Sequence, residues 1–118
     1  MVTSALTRFY VREEDLLDLN VVKARDLIVR CFYEAQKETI AKTKEFLHLP
    51  ASDEDIHKRV VAMVRSIFAE VGGNFDKPTK ENLVRTIEVL AEKCSAWGAP
   101  KEIIEYHRGE IEKVLSRL

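Results

Sequence analysis

The longest amphipathic stretch, Val21 to Leu49, carries two apolar seams instead of one. Val21, Ala24, Ile28, Cys31, Phe32, Ala35 and Phe46 make the first seam, and Val22, Val29, Tyr33, Ile40 and Leu47 the second. At about 100° per residue the seams lie side by side and leave a polar strip about 120° wide. A helix with one neighbour needs one stripe, so this helix is expected to be wedged between neighbours as the spine of a bundle. Apolar positions become sparse after Ala35, where Gln36, Thr39 and Thr43 intervene. The first half therefore reads as core. The second half is where a partner, a bend or a frayed end is expected. At 1.5 Å per residue the run would be about 40 Å long, against a radius of gyration of about 13–14 Å for a compact domain of this size. It should protrude, bend or be covered by a second copy of the chain.

Three more helices follow from the same periodicity. Leu49-Pro50 stops the long helix, because the residue before Pro avoids the α region. Ser52 caps the next, with Asp53, Glu54 and Asp55 in its first turn at the positive end of the dipole. Its apolar face is Ile56, Val60, Val61, Met63, Val64, Ile67, Phe68 and Val71, and Gly72-Gly73 supplies a left-handed stop. Thr79 caps a fourth helix whose seam is Leu83, Ile87, Leu90, Cys94 and Trp97. Gly98 ends it, and Pro100 opens a last helix carrying Ile103, Ile104, Ile111, Val114, Leu115 and Leu118. The segment 1–19 has two readings. Leu6, Phe9 and Tyr10 fit one face of a short helix, while Leu6 to Val11 equally fits an extended arm, being rich in aromatic and β-branched residues. Glu13, Glu14 and Asp15 suit the first turn of a short helix through Leu19, and Asp18 or Asn20 can cap the long one.

The expected fold is all-α: an antiparallel four- to five-helix bundle with one long central helix, forming a single domain over 1–118. Its helices are expected at 20–49, 53–71, 79–97 and 100–118. A hydrophobic share of 46% beside 33% charged residues supports a packed domain over a disordered chain. A formal charge of −1 gives no electrostatic case for nucleic acid or an anionic membrane. Lys23, Arg30, Lys37 and Lys44 do recur every seven residues, but Asp26, Glu34 and Glu38 stand three or four residues before Arg30, Lys37 and Lys42. That is surface pairing, and no aromatics are interleaved for base stacking. Residues 1–10 lack the basic start and apolar core of a signal peptide. No apolar run approaches the ~18 residues of a membrane span. A cytoplasmic protein is expected, with Cys31 and Cys94 as reduced core thiols.

Candidate chemistry centres on histidine. On helical wheels His57 projects between Val60, Val61 and Val64, and His107 between Ile103, Ile104 and Ile111. Brought together, with Tyr33 or Tyr106 beside them, the two rings would form a polar pocket for a metal, a carboxylate or a small ligand that titrates near neutral pH. Kept apart, each would be satisfied by a backbone carbonyl or water. His48 falls on the polar strip near a helix C-terminus, where it complements the dipole. Glu54 and His57 have the Glu-x-x-His step of di-iron bundles, but a second such pair is missing and the long helix offers no inward acid at matching depth. The cysteines are 63 positions apart and make no Cys-x-x-Cys zinc pair. No histidine has an Arg shortly before it, as helical ribonucleases of prokaryotic toxin systems would require. No catalytic residue, metal or cofactor is assigned, and an enzyme is the less favoured reading.

The function expected from sequence is a small cytoplasmic interaction module, associating as a homodimer or with a protein partner. Its interface would use Leu6, Phe9, Tyr10, Leu16, Leu17, Ile40 and Leu47; exposed together, the N-terminal set Leu6, Phe9, Tyr10, Leu16, Leu17 and Leu19 would exceed the apolar patch a monomer tolerates. The alternative is a ligand-binding or enzymatic bundle with His57, His107 and Tyr33 around an internal polar pocket.

Overall fold

The periodic segments fold as helices: α1 (Glu13–Leu16), α2 (Val21–Lys42), α3 (Asp53–Glu70), α4 (Lys80–Ala96) and α5 (Lys101–Leu115). The structure is a computed structural model that describes residues 9–42 and 52–118. The expected seam positions Phe46 and Leu47, the helix end at Leu49, His48 and the arm residue Leu6 lie outside the described residues.

Local chemistry sets the boundaries. Asn20, not Asp18, caps α2, its side-chain oxygen accepting the Lys23 N–H at 2.9 Å. Ser52 accepts from the Asp55 N–H at 3.1 Å, and Thr79 from the Asn82 N–H at 3.1 Å. Both are N-cap bonds that satisfy a donor the first turn leaves open. Gly72 (φ 79°) and Gly98 (φ 88°) take the left-handed conformation that stops α3 and α4. Gly73 is needed for a different reason: a Cβ there would come within 2.6 Å of the Asn82 side chain. The turn between α3 and α4 is therefore closed by a close approach as well as by backbone twist.

The α2 helix packs against α3, α4 and α5, while α3 and α5 each also pack against α4. Its 22 residues span about 33 Å, within a longest extent of 37 Å and a radius of gyration of 14.2 Å. The described part of the helix thus runs nearly the length of the molecule and does not protrude. Ala24, Leu27, Ile28, Val29, Cys31 and Phe32 are buried, joined by Val60, Val64, Ile67 and Phe68 of α3, Leu83, Ile87 and Leu90 of α4, and Ile111, Val114 and Leu115 of α5. Two positions differ from the wheel. Leu27 belongs to the core although neither seam includes it, and Val22 is exposed. The polar strip is narrower than the wheel implies: no side chain from Cys31 to Ile40 is exposed, and Glu38 is buried. The second half of α2 is therefore covered on its outside.

Residues 9–12, ahead of α1, lie outside any helix and belong to the bundle. Phe9 is 3% exposed, under the Arg30 guanidinium at 5.0 Å and stacked with the His107 ring at 6.5 Å. Its carbonyl accepts from the Tyr106 hydroxyl at 2.8 Å, and the Val11 N–H donates to Glu110 Oε1 at 2.9 Å. Phe9 is thus held in the chain's own core and is not available to a partner. Burial would raise the Glu110 carboxyl pKa, but bonds from Lys113 and from the Val11 amide outweigh it and hold the value below the usual range.

A depressed folded-state pKa means stabilisation that is present above the unfolded pKa and lost as pH falls through the folded one. Glu110→Gln should therefore cost about 1–2 kcal/mol at neutral pH. That difference should shrink in acid, as read by urea unfolding of both proteins at pH 7 and pH 3.

Candidate functional site

The four long helices do not close on one another at one end of the bundle. A cleft of about 490 Å³ lies between them. Its walls come from Ile28 to Ile40 of α2, Ile56 to Met63 of α3, Ile87 to Cys94 of α4 and Ile103 to Ile111 of α5, with Trp97, Gly98 and Ala99 of the α4–α5 turn. The C-terminal parts of α2 and α4 thus meet the N-terminal parts of α3 and α5 around one space. The lining is mostly apolar and includes Phe32, Val60, Met63, Leu90 and Ile104. Small residues make the room, because Ala35, Ala91, Gly98 and Ala99 line it where larger side chains would fill it. Arg59, Trp97, Gly98 and Arg108 are its exposed lining residues and so mark its mouth.

The size decides how the cleft is read. An empty, sealed cavity costs about 24 cal/mol per Å³, which for this volume is about 12 kcal/mol. A whole domain is stable by only about 5–15 kcal/mol. The space is tolerable because it opens at the mouth to solvent or to a ligand, and its volume falls in the range of small-molecule sites.

The histidines separate. His107 is buried, lines the cleft and places Nδ1 2.8 Å from the Ile103 carbonyl, with Tyr106 edge-on at 5.1 Å. His57 is exposed and lies outside the cleft lining, with Tyr33 edge-on at 5.7 Å. Tyr33 is in turn covered by the Lys37 ammonium at 5.2 Å. His57 and Tyr33 thus meet each other on the flank of α2 and α3, and His107 faces a different space. The physical reason is local. Ile56, Val60, Val64 and Ile67 hold the centre of the buried face of α3, and His57 falls at its edge beside half-buried Val61. Glu38 of α2 is buried, and among the described residues no three His, Cys, Asp or Glu side chains are placed to hold a metal. Of the expected interface residues, Tyr10 and Leu17 are exposed and Leu16 and Ile40 half-buried, while Leu6 and Leu47 lie outside the described residues. Ile40 also lines the cleft. No described helix is long and apolar enough to cross a membrane.

Both cysteines are free and both line the cleft. Burial, with a smaller contribution from Glu110, drives the Cys31 thiol far up, and its Sγ lies 3.7 Å from the His107 carbonyl. Burial also pushes the Cys94 thiol up to about 11. Both shifts disfavour the thiolate, which is the reactive form. Periodicity alone could not mark the cleft, because its walls have the same pattern as a filled core. The available signal was the placing of Ala35, Ala91 and Ala99 among larger apolar residues. Comparison with models of protein families, with curated proteins and with solved structures found no match.

The raised thiol pKa has a direct readout. Cys94 should alkylate at pH 8 at least tenfold more slowly than a free cysteine peptide, and its rate should climb as pH approaches 11. Cys31 should react only on unfolding, as mass spectrometry of iodoacetamide-treated protein would report.

Proposed function

We propose that the chain is a binding module that takes an apolar small molecule into the cleft between α2, α3, α4 and α5, without converting it chemically. The single observation that carries this reading is the size of the cleft, about 490 Å³ in a chain of 118 residues. The thiols facing it are held protonated, and Trp97 and the two arginines give its mouth the polar edge that orients a ligand. The meeting of C-terminal and N-terminal halves around one space supports an up-and-down order of the four helices. The unpaired thiols fit a reducing cytoplasm.

Trp97 is the sole tryptophan and sits 48% exposed at the mouth, so its emission is a built-in reporter. The uncharged dye N-phenyl-1-naphthylamine should bind with one-to-one stoichiometry and shift the Trp97 emission. Ala91→Phe and Ala35→Leu, which fill the cleft from α4 and α2, should each weaken dye binding at least tenfold while circular dichroism stays helical. Folded variants that bind the dye as well as the parent would overturn the reading.

A second reading, self-association, is favoured by the apolar residues exposed before and at the start of α2: Leu17 at 65%, Tyr10 at 47% and Val22 at 42%. Light scattering should then give a dimer mass that Leu17→Lys and Val22→Lys reduce to the monomer. A monomer at every concentration would end this reading and leave the cleft untouched.

A further inference from the structure

We infer that the cleft takes a single-chain aliphatic carboxylate, its chain among the helices and its head between Arg59 and Arg108. The inference rests on the cleft reading above and adds the ligand's class. Charge complementarity carries it. In a chain with 20 acidic and 19 basic side chains, none of the described lining residues is Asp or Glu. The two guanidiniums come from different helices, α3 and α5, and both are exposed at the mouth. Arg59 makes no ion pair among the described residues, and Arg108 pairs only with exposed Glu112, at 3.3 Å. Arg59 and Arg108 are the charged side chains among the described lining residues, and both are cationic, which suits a monoanionic head. Guanidinium is the cation whose planar donors match a carboxylate in two-point geometry.

The interior sets the rest of the molecule. Besides the two arginines, Gln36, Thr39 and His107 are the polar side chains of a wall otherwise built from aliphatic, aromatic and sulfur-bearing residues and Gly98. At roughly 30 Å³ per water-sized group, the cleft holds on the order of sixteen such groups. That is room for a chain of about twelve carbons together with its head.

The test uses the full chain and the Trp97 emission, checked by calorimetry, with every amphiphile below its micelle concentration. Dodecanoate should bind at least tenfold more tightly than 1-dodecanol, and dodecyltrimethylammonium should bind most weakly. Affinity should rise about fourfold per methylene from eight to twelve carbons. Arg59→Gln and Arg108→Gln should each weaken dodecanoate about five- to tenfold and leave dodecanol unchanged. Equal binding of acid and alcohol, insensitive to both arginine variants, would overturn the carboxylate assignment while the cleft reading stands. Dodecyl phosphate binding more than tenfold tighter than dodecanoate would overturn the monoanion. If no amphiphile and no neutral dye binds, the cleft reading falls and this inference falls with it. Dodecanoate binding that survives Ala91→Phe would place the ligand elsewhere and also overturn it. Light scattering on the same samples reports a second copy as occupant, and a dimer that amphiphile does not dissociate would count against the carboxylate.

Discussion

A segment outside any helix cannot satisfy its own backbone, and the way residues 9–11 meet that constraint positions the α2–α5 side of the molecule. Buried amides and carbonyls need partners. Here α5 supplies them, with the Tyr106 hydroxyl on the Phe9 carbonyl and the Glu110 carboxylate on the Val11 amide. The Phe9 ring fills the space this brings into register, against His107 and beneath Arg30 of α2. Arg30 also bonds Asp15 at 3.2 Å, so the arm, α1, α2 and α5 are tied through one cluster. His107 belongs to that cluster and to the cleft wall at once. The geometry of the cleft therefore depends on a contact made on the far side of α5.

The molecule divides its packing between two ends. Around Val64, Phe68, Leu83 and Val114 the side chains are fully buried and the helices interlock. Phe75 closes that region from outside, edge-on to Phe68 and held between the guanidiniums of Arg25 and Arg65 at 4.6 and 4.4 Å. Arg25 further donates to the Phe75 carbonyl at 2.8 Å. Density close to that of organic crystals is normal for protein interiors. The other end forgoes it over a volume that no exchange of a single methyl would close. The opening at the mouth makes that space tolerable, and the tight end supplies the cohesion that the open end lacks.

Much of the fold can be read from the chain because its signals are local. Ser52, Thr79, Gly72 and Gly98 mark helix ends through bonds and backbone angles that involve only their neighbours. The apolar faces of α3 and α5 follow from spacing alone, since burial against any neighbour selects the same residues. What spacing cannot hold is the number and the distance of those neighbours. Leu27 is in the core because α2 meets three helices, which a wheel drawn for one helix does not represent. Two histidines on apolar faces carry the same pattern, yet His107 of α5 is inside and His57, at the edge of the buried face of α3, is outside. The cleft is harder still to read. An empty volume is a sum over four helices, and each contributes residues indistinguishable from core. Among the sparse apolar positions after Ala35, Gln36, Thr39 and Ile40 line the cleft.

Trp97 stands at the end of α4, one residue before the glycine that stops the helix, and its ring is half exposed. The helix stop fixes its backbone, while nothing in the core depends on its side-chain rotamer. Motion at that edge of the mouth is therefore a rotamer hop, on the picosecond to nanosecond scale of exposed side chains. Parting the helices themselves belongs to the microsecond to millisecond range. A change in the width of that edge therefore does not have to wait for the helices to part.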